Sequence, residues 1–355
     1  MNAAESNLGE RAHSKSSAIC ILGMHRSGTS TVSRSINLLG IYLGADAKLV
    51  PANANNPEGF WELREINNLE ARLLTRFNRN WDTATPLPER WLESEAVRPF
   101  KDELVKLISA NFNDQPVWAW KDPRTCLLLP LWREVLGKSK TKLSCVFVVR
   151  NPVDVASSLL RRDKIPFNKA LAIWFNHNIT ALKDAAGLPI VFLNYDRLLE
   201  NWDPELRRCA AALNLDWPTD EAQHRASMNA FIKPGLRHNQ SSLDQLQQVP
   251  HPVRELYDIL LAASIQPSIY DSRFAATIDR LSKDFRAYAT LFPNDDDTPC
   301  RGLMMTWRLP NGSGVQSQRF DPKNSPPNFV HRLLGYKLCC SLCKRLAKIC
   351  RWLLP

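Results

Sequence analysis

The chain has 355 residues, 44% of them hydrophobic, and a formal net charge of +10. This length and apolar content predict one large globular domain with appendages, since single domains rarely exceed about 250–300 residues. Residues 301–355 carry ten Lys and Arg against one acid, so the body is nearly neutral and a nucleic-acid groove running over it is not indicated.

Cysteine spacing and hydrophobic runs bear on metal binding and location. The nine cysteines include no C-x2-C spacing with a matching second half, so we expect no structural zinc. Residues 1–17 are polar, are predicted to be disordered, and lack the apolar segment of a signal peptide. No run reaches the roughly 20 apolar residues of a membrane span. We therefore expect a cytoplasmic protein with reduced thiols.

The first predicted strand leads into a phosphate-binding pattern. Residues 18–22 are apolar, residues 23–28 form a loop bounded by two glycines (GMHRSG), and a helix is predicted to begin at Thr29 and Ser30. Thr29 stands where a Walker loop has Lys, and the cation is Arg26, inside the loop. The alternative is an ordinary strand-to-helix turn with a chance pair of glycines.

The following elements alternate between helix and strand. After a Pro- and Asn-rich loop at 51–62, the pattern predicts helices at 63–77 and near 93–110, strands at 116–120 and 142–149, helices at 152–161 and 167–186, and a strand at 189–195. This alternation predicts an α/β fold, a P-loop-type open parallel sheet flanked by helices, with ligands at the carboxyl ends of its strands. Three of those ends carry cations: Arg26, Lys121 with Arg124, and Arg150.

The C-terminal third is predicted to be helical and then irregular. We expect an α/β core at 18–213, a helical part at 214–293, a linker or irregular segment at 294–329, and a basic amphipathic helix at 330–355. Leucines share one face of that last helix and Lys or Arg the other, which indicates either peripheral contact with the inner face of a membrane or a helix packed on the body.

Ser158 follows Arg150 by eight residues, about two turns into the predicted helix. Together with Lys121 and the GMHRSGTS segment, this combination resembles the sulfotransferase superfamily, most closely the bacterial-type members that begin GMHRSGTS. The resemblance covers residues 18–213 and identifies residues 18–293 as a candidate sulfotransferase domain. It implies transfer of a sulfuryl group from 3′-phosphoadenosine 5′-phosphosulfate (PAPS), without a metal, to a hydroxyl or amine of an acceptor. A carbohydrate, glycoconjugate or lipid-linked acceptor is the expectation at family level.

The resemblance also implies roles for individual residues. Arg150 and Ser158 match the pair that binds the 3′-phosphate, and Arg237 is a further candidate for contact with the nucleotide. The loop that holds the 5′-phosphosulfate is matched by Arg26, Ser27, Gly28, Thr29 and Ser30, with His25 as a possible lining residue.

The general base is left open by the sequence. Relatives with a K-x-H strand end use the His, but here that position is Pro123. The candidates are Glu58, Glu62 and Asp122, each of which could instead be an ion partner. Arg26 and Lys121 are predicted to stabilise charge during transfer. The rival interpretations are a P-loop kinase or NTPase and a non-catalytic nucleotide-binding protein.

Overall fold

The computed structural model describes residues 16–54, 56–233, 241, 243–266, 272–289, 304–308 and 315–319. The strands are β1 (Ser17–Leu22), β2 (Val117–Trp120), β3 (Lys142–Val149), β4 (Ile190–Asn194), β5 (Met304–Arg308) and β6 (Val315–Arg319). The helices are α1 (Thr29–Leu38), α2 (Arg64–Arg76), α3 (Arg98–Phe112), α4 (Thr125–Lys138), α5 (Pro152–Asp163), α6 (Phe167–Asp184), α7 (Tyr195–Glu200), α8 (Trp202–Leu213), α9 (Glu221–Phe231), α10 (Leu243–Gln247), α11 (His251–Ile265) and α12 (Ser272–Ala289).

The first four strands form one parallel sheet in the order β2-β1-β3-β4, flanked by helices, which confirms the predicted fold class. The two central strands, β1 and β3, are buried over residues 18–22 and 145–149, as expected for parallel strands covered on both faces. The strands run in the same direction, so the loops that follow them meet at one edge of the sheet. The residues after β1, β2, β3 and β4 are Gly23, Lys121, Arg150 and Tyr195.

The core lies on both sides of the sheet because side chains alternate along each strand. Cys20 and Leu22 belong to one hydrophobic cluster, and Ile19 and Ile21 to the other. The first cluster extends into the C-terminal helices, where the Phe285 ring of α12 lies 5.2 Å from a ring of α6. The helical part therefore shares its core with the α/β part.

Helix α4 is the main element that sequence patterning missed. It contains Pro130, which removes one intrahelical hydrogen bond, and nine of its 14 residues are buried, so it shows no clear apolar stripe. Helices α7 and α8 were not predicted either. The helix expected near 93–110 begins at Arg98, after two short 3₁₀ turns.

Two strands lie inside the segment predicted as a linker or irregular. β5 and β6 pair antiparallel over residues 304–308 and 315–319. The basic helix predicted at 330–355, most of the N-terminal segment and Arg237 lie outside the described residues. Within the part of the chain that the structure describes, no helix is both long and apolar enough to cross a membrane.

Candidate functional site

The loop from Gly23 to Gly28 contains backbone conformations with positive φ, which favour glycine. Gly28 has φ +89°, and a Cβ there would lie 2.1 Å from the Tyr195 ring. A Cβ on Gly23, at φ +147°, would lie 2.8 Å from Thr29 Cγ2. Arg26 also has a positive φ, of 69°. Such conformations cost about 1–3 kcal/mol for non-glycine residues. They persist here because the surrounding contacts fix the loop.

A buried thiol anchors the start of this loop. The Gly23 N–H donates to Cys126 Sγ at 3.1 Å, which joins the loop after β1 to helix α4. Burial raises the pKa of Cys126 to about 12, so the sulfur is a neutral thiol at pH 7. In the sequence Cys126 is followed by an apolar run, which gives no sign of this contact. Only the contact reveals its role in positioning the loop.

The helix that follows the loop presents an open N-terminus. Helix α1 has Gly28 at its N-cap, no side chain capping its first N–H groups, and no acidic residue in its first turn. Unpaired N–H groups and the helix dipole attract an anion at such a position. The backbone therefore supplies one half of an anion site.

Two arginines and a serine supply the other half. Arg26 Nε donates to Ser158 Oγ at 2.9 Å, and Arg150 Nη1 donates to the carbonyl oxygen of Arg26 at 2.7 Å. Arg150 is 7% exposed, lies 4.5 Å above the Tyr195 ring, and its buried Nε has no hydrogen-bond partner among the described residues.

Positive charge accumulates around Arg26. Burial, together with the charges of Arg162 and Arg150, lowers the pKa of Arg26 to about 10. Grouping guanidinium groups in a partly buried place is unfavourable unless an anion joins them. The electrostatics therefore indicate a ligand with at least one strongly negative group.

Lys121 lies at the same edge of the sheet in a buried ion pair. Its Nζ is 2.5 Å from Glu62 Oε1 and donates to Ser30 Oγ at 3.2 Å. Asn67 Nδ2 donates to the other Glu62 oxygen at 2.8 Å. Burial raises the pKa of Glu62 above its ordinary value, although Lys121 opposes the shift. The loop at 51–62 thus brings the Glu62 carboxylate close to the predicted phosphate-binding loop at 23–28.

Ser30 is prepared to donate to a ligand. Its Oγ accepts from Lys121 and also from Asn56 Nδ2, at 3.2 Å in each case. With both lone pairs engaged, the hydroxyl hydrogen remains for an acceptor atom outside this set. Asn56 holds the loop through a second bond, to the carbonyl oxygen of Gly59 at 2.6 Å.

The two other candidate carboxylates are placed differently. Glu58 is exposed, and its described hydrogen bond is through its backbone carbonyl, which accepts from Trp61 Nε1 at 2.8 Å. Asp122 is fully buried and accepts from the Arg124 backbone N–H at 2.9 Å and from Arg124 Nη1 at 3.0 Å. Asp122 therefore orients Arg124.

His25 packs against the loop that carries Trp81. Its ring lies 4.5 Å from the Trp81 ring and 6.4 Å from that of His177, and its buried Nε2 has no partner among the described residues. Burial lowers the pKa of His25 well below its ordinary value, so the ring is neutral at pH 7. A neutral, packed imidazole fits a lining role.

Helix α5 carries site residues that the sequence did not single out. Asp154, Ser158 and Arg162 are spaced by four residues and so lie on one face. Asp154 is 1% exposed and accepts from the Ser241 N–H at 2.8 Å. Counting four residues in each direction from Ser158 would have identified both neighbours.

The residues that the structure brings to one edge of the sheet are Arg26, Ser30, Lys121, Arg150 and Ser158. At this edge Glu62 is paired with Lys121, and Asp122 with Arg124. Arg237 lies outside the described residues, and among those described no cluster of three or more His, Cys, Asp or Glu side chains could hold a metal ion.

Several solved structures are similar to this chain at low identity. The sulfotransferase domain from the curacin biosynthetic pathway is 17% identical, with 70% of this chain and 96% of that chain covered and a TM-score of 0.38. The sulfotransferase domain from the Synechococcus PCC 7002 olefin synthase is 18% identical, with 77% and 96% covered and a TM-score of 0.37. Sulfotransferase STF9 from Mycobacterium avium is 13% identical, with 75% and 77% covered and a TM-score of 0.38.

Comparison with protein-family models and with curated proteins gives no match.

Proposed function

We propose that this chain is a sulfotransferase that uses PAPS and transfers its sulfuryl group to a hydroxyl or amine of a carbohydrate or glycoconjugate acceptor. One observation carries the proposal. The uncapped N-terminus of α1 and the side chains of Arg26, Lys121, Arg150 and Ser158 converge at the carboxyl edge of a parallel sheet.

The residues fit the two anionic ends of PAPS. Arg150 has a buried Nε without a described partner, and Ser158 accepts from Arg26 and so retains a hydroxyl hydrogen to donate. A planar guanidinium and a hydroxyl suit a terminal phosphate. The loop amides, Ser30 and Arg26 suit the phosphosulfate. When bound, PAPS supplies an activated sulfuryl group.

The chain's own cations then stabilise the charge that develops on the departing phosphate. Arg26 and the N–H groups of α1 are fixed before any ligand binds, and fixed donors need no reorganisation during transfer. Lys121 has three N–H donors, two of which are directed at Glu62 and Ser30. The third is available to the transferred group.

Glu62 is the carboxylate we assign as general base. It is buried beside the loop, and burial raises its pKa above the ordinary value, whereas Glu58 is exposed and Asp122 is held by Arg124. A base in this position takes the proton that the acceptor loses as it attacks sulfur. Its ion pair with Lys121 fixes its orientation.

The test is transfer of labelled sulfate from PAPS to a panel of glycans, glycolipids and amino sugars. Parallel titrations would measure the binding of adenosine 3′,5′-bisphosphate. Arg150→Ala and Arg26→Ala are expected to weaken that binding at least tenfold, because each removes a charge-assisted hydrogen bond. Arg98→Ala, on an exposed helix end, is the control and should bind like the parent.

Two results would contradict the proposal. The first is equal binding of adenosine 3′,5′-bisphosphate by the parent and both site variants. The second is Mg²⁺-dependent ATP turnover without sulfate transfer, which would favour a kinase or NTPase. Binding of the bisphosphate without transfer to any acceptor would favour a non-catalytic nucleotide-binding protein.

A further inference from the structure

One face of helix α5 leads from the anion site to an aromatic side chain. Ser158 contacts Arg26, and Arg162, one turn further along the same face, places its guanidinium carbon 5.8 Å from the centre of the Trp81 ring. Four residues of helix advance by about 6 Å. Arg162 is therefore close to the anion site but displaced along α5 toward Trp81.

The loop that carries Trp81 is fixed in place. The buried Asn176 of α6 donates through Nδ2 to the carbonyl oxygens of Thr83 and Thr85, at 3.3 and 3.0 Å. Lys169, also on α6, lies 3.4 Å from Asp82. These bonds fix the loop that carries the Trp81 indole, which lowers the entropic cost of binding a ligand against it.

Trp81 and Arg162 present complementary chemistry to solvent. Part of the indole packs on His25 and the rest is accessible, since Trp81 is only partly buried. The Arg162 side chain is 18% exposed, and Asp163 accepts from its Nε at 2.7 Å. The bond to Asp163 orients the guanidinium, while no described residue bonds its terminal nitrogens. An apolar ring face therefore lies beside an oriented cation.

The charge and position of Trp81 and Arg162 indicate contact with the second substrate, the sulfuryl acceptor. Under the proposed function, the negative groups of PAPS are bound by the α1 loop, Arg26, Arg150 and Ser158. Arg162 lies beyond Ser158, on the side of the loop that carries Trp81. A sulfotransferase needs a place for its acceptor next to the phosphosulfate, and Trp81 packs on His25, which belongs to the loop assigned to the phosphosulfate.

Resting on that function, we propose that Trp81 and Arg162 form an acceptor subsite that selects molecules in which an apolar ring face adjoins an anionic group. The indole stacks on the ring, as aromatic side chains do with flat apolar faces. The guanidinium binds a carboxylate or a sulfate. Acidic sugars and aryl glycosides with a carboxylate belong to this class.

The experiment compares two probes that differ in one group. The full-length chain is first titrated with adenosine 3′,5′-bisphosphate, and the loaded protein is then titrated with 4-nitrophenyl β-D-glucuronide and with 4-nitrophenyl β-D-glucoside. We expect the glucuronide to bind at least about tenfold more tightly, the effect of one charge-assisted hydrogen bond.

Three variants separate the contributions. Arg162→Gln should bring the two affinities within about twofold of each other, and Arg162→Lys should retain part of the preference because it keeps the charge. Arg161→Gln, the exposed neighbour, is the matched control and should keep the full preference. Melting temperature should stay at the parent's value in all three variants. Arg161→Gln should also keep the parent's bisphosphate affinity, and Arg162→Gln should weaken the bisphosphate by less than it weakens the glucuronide.

The outcomes distinguish the subsite from the function it rests on. The subsite is overturned if the parent binds both glycosides equally or neither, if Arg162→Gln leaves the preference intact, or if Arg162→Gln weakens the bisphosphate as much as the glucuronide. Failure of the parent to bind the bisphosphate, seen before either glycoside is added, refutes the proposed function and with it the acceptor assignment.

Discussion

Replacing Glu62 with Gln tests whether this carboxylate acts as a general base or only as the ion partner of Lys121. Glu62 is 6% exposed and Lys121 2%, so the variant leaves a buried ammonium without its counter-charge. Breaking a buried pair in this way costs about 3–5 kcal/mol of the free energy of unfolding. Loss of a general base lowers the rate of the chemical step by about 10²–10⁴-fold. Glu62→Gln should therefore show both effects.

A double variant, Glu62→Gln with Lys121→Met, removes both members of the pair. Stability should return toward that of the parent, because the double variant leaves no buried charge without its partner. Transfer should remain at least about 10²-fold slow, since both the base and the Lys121 donor to the transferred group are then missing. The free energy of unfolding from urea titrations and single-turnover transfer rates measure the two effects. Recovery of both in the double variant would refute the assignment of Glu62 as base.

The pH dependence gives an independent check. Transfer requires the deprotonated form of Glu62, and burial raises the pKa of this carboxyl. The rate of the parent should therefore rise with pH through an apparent pKa above the ordinary value of about 4.3. The residual activity of Glu62→Gln should lack this rising limb, and a limb that persists unchanged would assign it to another group.

Three further predictions concern the loop, the core and the tail. Gly28→Ala should unfold at lower urea concentration and bind adenosine 3′,5′-bisphosphate poorly, because the new Cβ would lie 2.1 Å from the Tyr195 ring. Gly137→Ala is the control. A Cβ at Gly137 has nothing within 4 Å, so this variant should be neutral or more stable by up to about 1 kcal/mol. Burial raises the pKa of Glu70 well above its ordinary value, so its contribution to stability is present below about pH 4.5 and declines as pH rises through the folded-state pKa. Glu70→Gln should flatten this decline in urea titrations at a series of pH values. An unchanged profile would show that Glu70 is not the group whose titration causes the decline. Removal of residues 328–355 should reduce co-sedimentation with anionic liposomes, and equal sedimentation of both chains would exclude a membrane anchor in the tail.

The sequence by itself determined the elements whose signals are local. The apolar runs of β1 and β3 predict buried parallel strands, Pro152 marks the start of α5, and two glycines mark the turn into α1. Residues directly after strands are fixed to the carboxyl edge of the sheet by this pattern alone. The approximate location of the candidate site therefore followed from the sequence.

Contacts between distant segments were decided only by the tertiary structure. Glu62 and Lys121 are 59 residues apart and Arg26 and Ser158 are 132 apart, so no local pattern could show that Lys121 is ion-paired or that Ser158 bonds Arg26. Helix α4 has no clear stripe because most of its surface is buried. Side-chain pairing depends on which elements pack together, and packing depends on the whole chain. The sequence predicted where the cations lie, and the fold decided which groups they contact.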